Sequence, residues 1–170
     1  MTTTTPLPLT GAALFAIAGA NLGAIVDYSD GQPRPPERFN KKLAEWKRRN
    51  GSGVLVAFSP RDPQHDWSHD QITLRTLDTD TIVMNMTYPV ETDLRFEIAT
   101  PRQPGMVLAL DTYAEERREG MEAKHVFADE AALYHWGDRN RYSPLEQTRY
   151  STRYVIVGED GALHPYTPTR

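Results

Sequence analysis

The sequence predicts an α+β domain, a mainly antiparallel, curved sheet of about six to eight strands with two helices packed on one face of it. Three observations carry this. Several short runs alternate apolar and polar residues in the period of a half-wet strand, most clearly DLRFEIAT (93–100), where Leu94, Phe96 and Ile98 stand against Asp93, Arg95 and Glu97. Only two segments carry helix signals, and strands and helices do not alternate as parallel βαβ units require. Nothing in the 170 residues reads as a linker or an internal repeat. One domain over 1–170 is therefore expected, with residues 1–10 and 167–170 frayed. A small β-barrel with helical additions is the alternative arrangement.

Taken in order, the leader MTTTTPLPLT lacks a basic region before an apolar stretch and does not read as a secretory signal. Ala12 to Ala18 and Gly23 to Tyr28 flank the break Gly19-Ala20-Asn21-Leu22, which predicts a hairpin. The prolines of QPRPP impose an extended strap. Pro35 and Pro36 then suit the start of a helix over 37–49, with Phe39, Leu43 and Trp46 as one apolar stripe. Asn50-Gly51 suits its end, and Gly51-Ser52-Gly53 reads as the helix exit. Val54 to Phe58 is a short buried strand.

QITLRTLD (71–78), TIVMNMTY (81–88) and DLRFEIAT follow, joined by the short connections Thr79-Asp80 and Val90-Glu91-Thr92. With Met106 to Asp111 they predict a meander of sequential neighbours. AEERREG (114–120) reads as a solvated loop. A second helix is expected over Ala128 to Trp136, with Asp129 and Glu130 at its start and Gly137 at its stop. TRYVIV and ALHPY form a last hairpin around Gly158 to Gly161.

The chain has no cysteine, which excludes disulfides, thiolate nucleophiles and Cys-ligated metals. No apolar run reaches the roughly 18 residues a membrane span needs, so a cytoplasmic protein without a membrane partner is expected. The net charge of −4 conceals a segregation: residues 33–53 sum to +5 and residues 61–130 to −8. The two regions either neutralise each other in the fold or face different partners.

The stretch HDWSHD (65–70) follows Asp62-Pro63, which suits one helical turn and aligns His65 and His69 at i and i+4, the spacing at which two imidazoles share a metal. The general base of HExxH and a third ligand are missing, so an exposed polar turn is the expected role. No GxSxG, GxGxxG or GxxxxGK[ST] occurs, and Ser68-His69-Asp70 are too close in sequence to assemble a triad.

What remains is surface chemistry: Lys41, Lys42, Arg48 and Arg49 on the basic helix, and the recurrent Arg-Tyr of RNRYSPLEQTRYSTRY, namely Arg141, Tyr142, Arg149, Tyr150 and Arg153. The leading reading is a non-enzymatic protein-binding module, accessory or inhibitory, acting by surface and charge complementarity without a cofactor. The alternative is a nucleic-acid binder using the helix 37–49 and segment 139–154, which a sequence pI of 5.7 disfavours. The second alternative is a metal-dependent hydrolase with His65 and His69 in its site.

Overall fold

The computed structural model describes residues 8–65, 67–77, 84–112, 120–139 and 152–169. The first arm of the expected hairpin is instead a helix, α1 (Gly11–Asn21). Thr10 caps it: its Oγ1 accepts a hydrogen bond from the Ala13 N–H at 3.2 Å, an arrangement contributing about 1 kcal/mol. Five of its eleven residues are alanine, the strongest helix former. The helix is apolar on nearly every side, so the sequence shows no helical period. It sits under the sheet with Gly11, Leu14 and Ala18 buried, and Phe15 meets Phe58 edge-on at 5.9 Å. Leu9, at the end of the leader, already pairs with Phe96 through two backbone hydrogen bonds.

The remaining elements are β1 (Ile25–Ser29), α2 (Asn40–Arg49), β2 (Gly51–Ser59), β3 (Gln71–Thr76), β4 (Asn85–Pro89), β5 (Arg95–Thr100), β6 (Val107–Asp111), β7 (Met121–Phe127), α3 (Glu130–Arg139), β8 (Thr152–Val157) and β9 (Leu163–Tyr166). The nine described strands form one antiparallel sheet that does not close into a barrel. It is built from two runs of neighbours, β5-β1-β2-β3-β4 and β7-β6-β8-β9. They join at β2, whose residues 51–54 pair with β1 and whose Ala57 and Phe58 pair with Glu122 and Met121 of β7.

The expected meander holds only for β3 and β4, because β5 pairs with β1 and not with β4. The first run is so strongly curled that Tyr88 of β4 lies 5.5 Å from the Tyr28 ring of β1 and 6.0 Å from the Phe96 ring of β5. The short connection after β4 therefore carries the chain across the mouth of the curl to the free edge of β1. Gly11 lies against this connection, where a Cβ would stand 2.5 Å from the Val90 carbonyl oxygen.

Gly51-Ser52-Gly53 is the start of β2 and not a helix exit. Both glycines allow close approach: a Cβ at Gly53 would meet the Arg75 carbonyl oxygen at 2.9 Å, and one at Gly51 would meet the Tyr28 hydroxyl at 2.9 Å. α2 begins three residues later than expected, at Asn40, with no side-chain cap at Phe39. α3 is capped by Asp129, which accepts from Ala132 N–H at 2.7 Å, and it runs through Gly137 to Arg139. The last hairpin forms as expected, from Tyr154 opposite Tyr166 to Val157 opposite Leu163.

β6 divides the core. Leu108 and Leu110 join the cluster that holds α1's Leu14, together with Leu55, Leu74 and Phe96. Val107 and Ala109, on the other face, join Phe127, Tyr154 and Leu133 of α3. Leu14 of α1 thus belongs to one cluster and Leu133 of α3 to the other, and all four of these β6 side chains are buried.

Candidate functional site

Each strand that buries one face turns the other outward, and on β3 and β4 that outward face is polar, with Gln71, Thr73, Asn85 and Thr87. A bulge in β2 leaves Val56 unopposed, so Leu55 and Phe58 pair with the core residues Leu74 and Ile72 while Ala57 pairs with Thr73. Thr73 in turn stands opposite Thr87, their hydroxyls 3.0 Å apart. β7 joins alongside Ala57 and brings Glu122 beside this polar face. Between these strands lies a cleft of about 250 Å³. Its lining includes Gln71, Thr73, Asn85, Thr87 and Glu122, with Val56, Ala57 and Met121 supplying apolar surface. Gly120 sits at its margin, and a Cβ there would fall 2.5 Å from the Phe58 carbonyl oxygen. The sequence singled out none of these residues.

Next to the cleft, Arg75 is held inward. Its Nε donates to Asn85 Oδ1 at 3.1 Å, and its terminal nitrogens donate to the Lys124 and Ala123 carbonyls. Burial lowers its pKa, and the charge of Glu122 partly offsets that. His125 lies 4.5 Å from the Trp136 ring of α3 and 5.8 Å from Phe127. Burial lowers its pKa below the ordinary 6.5, and the positive charges of Arg75 and Lys124 lower it further. A histidine shifted this way favours the neutral form when folded and protonates more readily when unfolded. Its stabilising contribution is therefore complete above pH 6.5 and is lost as the pH falls below that value towards the depressed folded pKa. Between about pH 7.5 and about pH 5.5, Tm is expected to fall more steeply for the native chain than for His125→Gln. Equal slopes in a thermal melt series would remove His125 from this role.

α2 is a second surface. It has no buried residue and is fastened from one side. Trp46 Nε1 donates to the Gln32 carbonyl at 2.8 Å, and Arg49 donates to Asp30 at 3.0 Å and to Asp93 at 2.6 Å. Asn50 adds hydrogen bonds to Ser29, to Asp30 and to the Trp46 carbonyl. Arg49 is thus committed within the fold, and its bridge to Asp93 realises part of the mutual neutralisation that the charge segregation raised. Arg48 pairs with Glu45 of its own helix at 3.2 Å. Helical periodicity places Lys41 and Arg48 opposite the Phe39–Leu43–Trp46 stripe, with Lys42 and Lys47 on its flanks. Phe39 is 44% exposed, with Arg38 4.9 Å and Lys42 5.7 Å from its ring centre.

Asp66 of the HDWSHD stretch lies outside the described residues; the described residues around it, 61–65 and 67–70, form a surface segment tied by its own polar groups. Asp62 N–H donates to Ser68 Oγ, Gln64 N–H to Asp62 Oδ1, and Arg61 N–H to Asp70 Oδ1. The two histidines part company: His65 Nδ1 faces Asp62 at 2.9 Å, while His69 Nδ1 faces Glu91 at 3.5 Å. Trp67 is 76% exposed against the His65 ring. Among the described residues no three His, Cys, Asp or Glu side chains converge as a metal site requires. Arg141, Tyr142, Arg149 and Tyr150 lie outside the described residues, and Arg153 is exposed on β8. No helix among the described residues is long and apolar enough to cross a membrane.

No curated protein and no solved structure matches the chain. A family model does, over residues 12–151, which takes in the whole first run of strands, the join at β2 and the cleft. The chain belongs to the family described as Uncharacterised conserved protein UCP036055.

Proposed function

We propose that the chain is a non-enzymatic binding module, accessory or inhibitory in role, that presents the outer face of α2 to an acidic protein partner. The observation that carries this reading is the one-sided attachment of α2. Its inner side is fixed by Trp46, Arg49 and Asn50, while Lys41, Lys42 and Lys47 are exposed and the exposed ring of Phe39 lies between Arg38 and Lys42. A helix held rigidly from behind loses little conformational freedom on docking, and an aromatic ring set among cations offers apolar contact and charge complementarity together.

The variant Lys41→Glu/Lys42→Glu/Arg48→Glu tests it without disturbing the tether, since Arg49 is kept. The native chain is expected to retain a protein from its native lysate after nuclease treatment, and the variant to retain it on the order of tenfold less at equal Tm. Retention abolished by nuclease would transfer the surface to nucleic acid, and equal retention by the variant would remove α2 from the function.

A further inference from the structure

We propose that the cleft between β2, β3, β4 and the start of β7 binds a small hydroxylated amine, with the nitrogen on the Glu122 carboxylate. The argument begins with which polar groups are already satisfied. Asn85 Oδ1 accepts from Arg75, which leaves the Asn85 amide hydrogens available as donors. The Thr73 and Thr87 hydroxyls bond each other, and that bond uses only one of their two hydrogens. Among the described residues neither the Gln71 amide nor the Glu122 carboxylate has a side-chain hydrogen bond or ion pair, although both are half-buried. Among the described residues Glu122 is the one charged side chain in the lining; the nearby Arg75, whose charge acts on Glu122, is turned to Asn85 and to two carbonyls of β7.

These facts select the ligand by class. Among the described residues an anion would meet the Glu122 carboxylate in the lining, and Arg75, the cation beside it, already spends its donors on Asn85 and two carbonyls, so the described wall favours a cation over a phosphate or carboxylate. A half-buried carboxylate without a donor gains most from a charged N–H group, because hydrogen bonds between ions are shorter and about twice as strong as neutral ones. The threonine hydroxyls and the two amides lie across the cleft from Glu122 and suit hydroxyl groups on the same molecule. At about 250 Å³ the cleft falls below the ~300 Å³ at which pockets for drug-sized ligands begin, so the ligand is of monosaccharide size or smaller.

Glucosamine and ethanolamine are suitable probes, with glucose as the neutral counterpart, titrated into the ¹⁵N-labelled full chain at a pH where the amines are protonated. Saturable shifts are expected at the amides of Ala57, Thr73, Thr87 and Glu122 with at least one amine. Binding should be weaker by about tenfold or more for glucose and for Glu122→Gln, the loss of one charge-assisted hydrogen bond. The Glu122→Gln spectrum should otherwise match the native one, which separates a lost contact from a lost fold. The proposal is overturned if neither amine produces saturable shifts there, or if glucose or Glu122→Gln binds equally well.

Discussion

Phe96→Ala should destabilise the chain by about 3–5 kcal/mol, a large part of the roughly 5–15 kcal/mol that holds a domain of this kind together. Phe96 is fully buried and shares the main core cluster with Leu14, Leu55 and Leu94. Its backbone also pairs with Tyr28 on one side and with Leu9 on the other. The ring is thus enclosed by α1, by the curl of the first run and by Tyr88, and none of these can collapse into the space without losing its own contacts. Urea unfolding would measure the loss as a lower midpoint at unchanged slope. Phe39→Ala is the counterpart, because that ring is exposed; its cost should stay within about 0.5 kcal/mol. Equal costs at the two positions would refute this account of the core.

Gly120→Val should have the second large effect, and through a different cause. A Cβ at this buried glycine would lie 2.5 Å from the Phe58 carbonyl oxygen and 3.1 Å from Ser59 Cα. Both are backbone atoms of β2, so no side chain can turn aside. Overpacking of this kind costs about 1–3 kcal/mol and sometimes more. The strain falls where the two runs of strands are joined, through the pairs Ala57–Glu122 and Phe58–Met121. Hydrogen exchange should show protection lost first at Met121 and Glu122, with the β6–β8 ladder from Val107–Ile156 to Asp111–Thr152 affected less. Uniform loss of protection across both runs would argue against a localised junction.

The sequence disclosed those parts of the fold whose side chains repeat with a single period. β5 was legible because Leu94 and Phe96 are buried while Arg95 and Glu97 are wet, and α2 because its stripe recurs at helical spacing. α1 is hidden in the sequence because it is apolar on nearly all sides, so that only its Thr10 cap marks it as a helix. β7 is hidden for another reason. A register shift pairs Ala109 with His125 and Leu110 with Ala123, so Lys124 is unopposed and the alternation of MEAKHVF breaks in the middle. The cleft was illegible in principle, since Gln71, Asn85 and Glu122 become neighbours only through the pairings of β3 with β4 and of β2 with β7. Of the candidate partner-binding residues, the exposure of Lys41 and Lys42 could be read from helical phase. The commitment of Arg49 to Asp30 and Asp93 could not, because Asp93 is 44 residues away.

The join at β2 also bears on the order of synthesis. The first run of strands is complete by Thr100, whereas the segment that occupies the remaining edge of β2 begins only at Met121. At translation speeds of about 5–20 residues per second, that edge of Ala57 and Phe58 waits about one to four seconds more for β7 after the first run is complete. Through the same interval the nascent chain lacks Val155 and Val157, and Leu108 and Leu110 join it only partway, although all four belong to the main core. Ribosome-bound chains halted between these two points would present an open strand edge beside uncovered apolar side chains, the state in which a chaperone has most to protect.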